Sequence, residues 1–122
     1  MPPPEKPAEG SANGGSDADW VAALPVAELE EGSTAEVVVG DLILALIKCE
    51  GEVYAIDGLC AHQGGPLGKG ALDGCTLTCP WHGWQYDVRT GHQLLSETIR
   101  QRRYATRIEG DTIWVDVSRA AP

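Results

Sequence analysis

The chain has 122 residues, a length that suits a single domain. Its hydrophobic content of 43% and charged content of 22% are those of an ordinary globular protein and exclude global disorder. A formal charge of −9 argues against nucleic acid as a partner, because an acidic surface repels polyphosphate; it suits either simple solubility or docking on a basic patch of another protein.

Residues 1–18 are rich in Pro, Gly, Ser, Ala and Glu and hold no leucine, isoleucine, valine or aromatic residue. Such a stretch cannot bury enough apolar surface to offset its ordering entropy, so it reads as a disordered tail. Its start has neither a basic cluster nor an apolar core, unlike a secretory signal. The longest apolar run, residues 42–47, is far too short to span a bilayer. The expected compartment is therefore the cytoplasm, with no membrane partner. Four cysteines there are more naturally thiols or metal ligands than disulfides.

The folded domain is expected over residues 19–118. Ala27 to Glu31 could form one helical turn, and no other stretch shows helical periodicity with caps. Residues 36–39 and 42–49 read as strands around Gly40-Asp41, and residues 52–56 follow Glu50-Gly51. Residues 104–108 and 112–117 flank Gly110-Asp111. Each pair has the look of a hairpin, and the fold class is all-β: a small antiparallel sandwich of stacked sheets. Trp20 and Trp114 read as core or edge packing. Arg100, Arg102, Arg103 and Arg107 read as a solvated strand face, with a docking patch as the sharper alternative.

Residues 57–74 differ, with Gly58, Gly64, Gly65, Gly68, Gly70 and Gly74 around Pro66. That density predicts loops with unusual backbone angles or close approaches. Here lies Cys60-Ala61-His62, and further on Cys79-Pro80-Trp81-His82-Gly83-Trp84. Two loops that each present one cysteine and one histidine can close around a metal centre from opposite sides. Thiolates suit iron–sulfur clusters and imidazoles suit iron, zinc or copper, so the pattern alone admits a structural zinc site, as in a zinc-stabilised interaction module. Cys49 and Cys75 stand apart from these loops and read as small buried hydrophobes, with a disulfide or labile redox pair as the alternative. His92, after Thr90-Gly91, reads as solvent-facing in a turn.

The combination Cys-x-His, spacer, Cys-Pro-x-His-Gly resembles the Rieske [2Fe–2S] domain family. Val53-Tyr54-Ala55-Ile56-Asp57, Gly64-Gly65-Pro66-Leu67 and Trp84-Gln85-Tyr86-Asp87-Val88-Arg89-Thr90-Gly91 extend the resemblance. It implies one [2Fe–2S] cluster per chain, with Cys60 and Cys79 on one iron and His62 and His82 on the other. It implies a Tyr86 hydroxyl that can donate to Cys60 sulfur, and Trp81 and Pro66 read as hydrophobic cover for the cluster, with specific recognition as the alternative. It also implies an exposed histidine edge.

Two departures separate the chain from the Rieske subunits of cytochrome bc complexes. Gly65 and Trp81 occupy the positions where those proteins carry a loop-bridging cysteine pair. Trp84 stands where they carry a serine that bonds a bridging sulfide. The chain therefore looks more like the Rieske ferredoxins of bacterial oxygenase systems, with a potential in the lower part of the Rieske range. Such a protein is a soluble electron carrier rather than an enzyme, with a reductase and an oxygenase as partners. The alternative within the family is a small subunit of a larger oxidoreductase such as nitrite reductase. A self-sufficient oxygenase is excluded: of three histidines the cluster would use two, too few to leave a second iron site. Nothing in the sequence sets an oligomeric state.

Overall fold

In the computed structural model of the chain, the described residues are 19–61, 64–81, 83–96 and 98–120. The expected tail at residues 1–18 lies outside them. Among the described residues nine strands follow in order: β1 Trp20–Pro25, β2 Ser33–Val39, β3 Leu42–Cys49, β4 Glu52–Asp57, β5 Ala71–Asp73, β6 Thr76–Thr78, β7 Gln85–Asp87, β8 Arg103–Glu109 and β9 Thr112–Ala120. They form a six-stranded sheet in the order β1-β9-β8-β4-β3-β2 and a three-stranded sheet β5-β6-β7. Every pairing is antiparallel. No helix among the described residues is long and apolar enough to cross a membrane.

The hairpins sit where the sequence places them. Val39 pairs with Leu42, Cys49 with Glu52 and Glu109 with Thr112, leaving two-residue turns at Gly40-Asp41, Glu50-Gly51 and Gly110-Asp111. Glu50 and Gly51 both have positive φ (55° and 79°), the twist that matches a right-handed hairpin. Glu50 is not a residue that favours this region. The Glu31 carboxylate holds it there by accepting both turn N–H groups, at 2.8 Å and 3.0 Å.

Strand β3 explains the layering. Leu44 and Leu46 face one cluster of buried side chains, with Val37, Val39, Ala55, Ile113 and Val115. Ala45, Ile47 and Cys49 face another, with Ile56, Leu67, Leu77, Tyr86 and Val88. Side chains alternate across a strand, so a strand covered on both faces must be apolar throughout. The large sheet curls around the first cluster, and the small sheet covers the second.

Four expectations need correction. The helical turn expected at Ala27 to Glu31 is a 3-10 turn over Val26–Glu28. The segment 57–74, read as loops, contains a 3-10 turn at Leu67–Lys69 and strand β5. His92 is half-buried rather than solvent-facing, in a bridge with Arg100, and its carbonyl accepts the Asp87 N–H.

The fourth correction is covalent. Cys49 and Cys75, read as buried thiols, form a disulfide with Cα atoms 5.5 Å apart. Cys49 ends β3 and Cys75 precedes β6, so the bond staples the small sheet to the large one. Nearby, Arg89 reaches from the end of β7 to Glu50 at 3.7 Å, while a bidentate bond to Asp87 holds that carboxyl below the usual carboxylate range.

The bridge closes a loop of sequence separation 26, for which restriction of the unfolded chain gives about 3.5 kcal/mol of stability. The double variant Cys49→Ala, Cys75→Ala is expected to lose stability of that order in denaturant titration. An unchanged midpoint would show that apolar burial alone holds the small sheet.

Candidate metal centre

Two loops converge at one end of the molecule. The first leaves β4 after Asp57, whose carboxylate accepts the Leu59 N–H at 3.2 Å. The Gly58 N–H donates to Ile43 O, and Leu67 N–H returns to Gly58 O, each at 2.8 Å. Within this frame Cys60 N–H donates to Gly65 O at 2.8 Å. The second loop joins β6 to β7, and there Cys79 N–H donates to Trp84 O at 2.7 Å. In both loops, then, the cysteine amide closes on a carbonyl five residues later. Each closed segment contains one of the expected histidines. His62 and His82 themselves lie outside the described residues.

Cys60 and Cys79 are 3% and 2% exposed and their side chains are hydrogen-bonding neighbours. Donors aim at both sulfurs. Tyr86 Oη lies 3.1 Å from Cys60 Sγ, and Trp81 N–H donates to Cys79 Sγ at 3.4 Å. Burial pushes the Cys79 thiol up, and the bond from Trp81 N–H works against that shift. Tyr86 is fully buried; desolvation, with the Cys60 sulfur adding to it, raises its pKa well above the ordinary tyrosine range. With Cys60 as a metal-bound thiolate, its sulfur would only accept, and the Tyr86 hydroxyl would be the donor of this pair.

The loops also meet directly. A Cβ added to Gly65 would lie 2.7 Å from Cys79 Sγ and 3.0 Å from Trp81 Cβ, so only glycine leaves room for the second cysteine and the indole. Trp81 is 50% exposed, a half-open cover over Gly65. Pro66 is partly buried and pairs across the first loop with Leu59. Trp84 is partly buried against the core cluster that includes Cys60 and Cys79.

The donor set fits an iron–sulfur cluster. Two thiols approach each other from opposite loops, shielded from water and served by N–H and O–H donors, an arrangement that stabilises negative charge on sulfur. Sequence reasoning missed one residue of this region, Gln101. Its side chain is buried and donates to Asp57 O and Leu59 O at the base of the first loop. A lone glutamine before a strand carries no motif by which to find it.

Comparison with known proteins agrees with this geometry. The Rieske [2Fe-2S] domain model matches residues 19–105. The ferredoxin component of the naphthalene 1,2-dioxygenase system of Pseudomonas aeruginosa is 36% identical over 100 residues, 81% of this chain and 96% of that protein. The ferredoxin of carbazole 1,9a-dioxygenase from Nocardioides aromaticivorans IC177 superposes with a TM-score of 0.73 at 27% identity, covering 80% of this chain and 96% of that one. A chain from a complex of reduced oxygenase and oxidized ferredoxin in carbazole 1,9a-dioxygenase gives a TM-score of 0.75 at 25% identity, covering 84% and 97%. With the family model spanning most of the chain and the paired cysteine loops in place, this protein belongs to the Rieske [2Fe–2S] domain family.

Proposed function

We propose that the chain is the ferredoxin component of a bacterial oxygenase system, taking single electrons from a reductase and delivering them to a terminal oxygenase. The observation that carries this reading is the pair of buried cysteines under Tyr86, in a chain that spans nearly the whole length of dioxygenase ferredoxins. Those relatives are named as ferredoxins and this chain spans 96% of each, which favours a free carrier over a fixed subunit of a larger oxidoreductase.

The cluster would be held by Cys60 and Cys79 on one iron and by His62 and His82 on the other, and it would supply reversible one-electron chemistry. The protein's own residues do the rest. Apolar burial around the cysteines excludes water from the sulfur side. Tyr86 donates to Cys60 sulfur, a bond that strengthens as negative charge accumulates and so favours the reduced state. Trp84, lacking a hydroxyl, gives no second bond of that kind. On the other side, Ala61, Trp81 and Gly83, the described neighbours of the two histidines, are exposed. That contrast supports the histidine edge as the point of electron exit. We propose the cytoplasm as its place of action; Cys49 and Cys75 are both buried, which shields their bond from cellular thiols.

Metal analysis tests the reading. Anaerobically prepared protein should hold about two iron and two sulfide per chain. His62→Ala or Cys79→Ala should abolish the visible colour. Stoichiometric zinc without iron would favour a zinc-stabilised module instead.

Voltammetry tests the tuning. Rieske potentials run from about −150 to +300 mV, and this chain should fall in the lower part. Tyr86→Phe removes a bond to charged sulfur; a loss of roughly 1.4 kcal/mol corresponds to a fall of about 60 mV for one electron. Trp84→Ser should leave the potential unchanged or raise it. A wild-type midpoint near the top of the range would contradict this account.

A further inference from the structure

Gln101 precedes β8 and is 3% exposed. Its Nε2 donates to Asp57 O at 2.9 Å and to Leu59 O at 2.8 Å. A primary amide offers two N–H donors from one atom, and both are used on one short stretch of backbone. The second carbonyl belongs to the peptide that joins Leu59 to Cys60. Fixing that carbonyl fixes the peptide plane, and with it the direction in which Cys60 N–H leaves for Gly65 O.

The backbone of the same residue is held elsewhere. Gln101 N–H donates to Gly91 O at 2.7 Å. Gly91 has φ +86°, and a Cβ there would lie 2.5 Å from Gln101 O, so the two main chains touch at a position open only to glycine. Gly91 N–H in turn donates to Asp87 O at 2.7 Å, and Asp87 directly follows Tyr86 in β7. Gln101 therefore ties the segment that enters Cys60 to the turn that ends the Tyr86 strand. The atoms that these two segments bring together are Cys60 Sγ and Tyr86 Oη, 3.1 Å apart.

We propose that Gln101 is a positioning residue that sets the Cys60–Tyr86 hydrogen bond, and through it the reduction potential of the cluster. The proposal rests on Cys60 being a cluster ligand. Hydrogen bonds weaken steeply with misalignment, so a small rotation of the Leu59–Cys60 peptide weakens donation to sulfur without breaking the site. Burial of the Gln101 side chain makes the role specific: without the amide, the Asp57 and Leu59 carbonyls lose the one donor that ties them together at the base of the loop, and the Leu59–Cys60 peptide is freer to rotate.

The test is a double-mutant cycle read by voltammetry and electron paramagnetic resonance on cluster-loaded protein. Gln101→Met keeps side-chain length and removes the donors. It should lower the midpoint potential, by less than Tyr86→Phe does. Added to Tyr86→Phe, it should give no further shift, because its effect passes through that hydroxyl. Thr106→Val is the control: Thr106 Oγ1 donates to Val53 O at 2.9 Å within the large sheet, so its loss should reduce stability and leave the potential alone. An unmoved potential in Gln101→Met, or an equal shift with and without the Tyr86 hydroxyl, would overturn the proposal. Should the methionine variant fail to load, Gln101→Asn, which keeps the amide on a shorter arm, should show the same dependence on Tyr86 in smaller measure; its absence counts equally against the idea. A separate outcome marks failure of the underlying reading: Cys60→Ala that still carries the wild-type spectrum would show that Cys60 is no ligand.

Discussion

The requirement that β3 be buried on both faces governs this structure. Leu44 and Leu46 serve the interior of the curled large sheet, while Ala45, Ile47 and Cys49 support the small sheet. The latter has strands of three residues each, too short to stand alone. It borrows its rigidity from β3 and β4 through Ile47 and Ile56, and from the Cys49–Cys75 bond. A polar residue at Ile47 would undermine the site from below without touching either loop.

That constraint is also why much of the fold can be read directly from sequence. Leu42-Ile43-Leu44-Ala45-Leu46-Ile47 announces a fully covered strand, and the two-residue turns beside it fix the register. Strand β1 is less legible because its partner is β9, at the other end of the domain, and no local signal encodes that pairing. Strands β5 to β7 are shorter than any period that could reveal them. The loop motif marks Cys60 and Cys79 because the cluster proposed for them would demand those residue types at that spacing. Cys49 and Cys75 carry no motif; only tertiary placement brings their backbones within reach. Gln101 is hidden for the same reason, since its role depends on contacts 42 and 44 residues away.

The arginines illustrate a different limit. From sequence they form one basic run in an acidic chain. In the structure two of them are committed to aromatic faces: Arg102 over Tyr104 at 5.1 Å and Arg107 over Trp20 at 4.6 Å. Arg107, on β8, thereby reaches past β9 to cover an indole on β1. This role is structural and favours the solvated-face reading over a free docking patch, although guanidinium groups so placed still contribute to the surface potential.

The site also separates two tasks that the cytochrome bc type combines. There the loops are bridged next to the cluster. Here Gly65 lies against Cys79 Sγ and Trp81, so the loop contact is van der Waals, and the covalent link lies at the far end of β6. Cys75 and Cys79 bracket the three residues of β6, a strand span of about 13 Å at the usual rise. The disulfide can therefore anchor the sheet without adding a bridge beside the cluster sulfurs. Among the described residues, the groups placed to influence charge on those sulfurs include Tyr86 Oη and Trp81 N–H, held by packing and by backbone closure. The base of the site is stiffened covalently at one end of β6, while at the other end the Tyr86 hydroxyl stands 3.1 Å from Cys60 Sγ, placed to act on the charge of that sulfur.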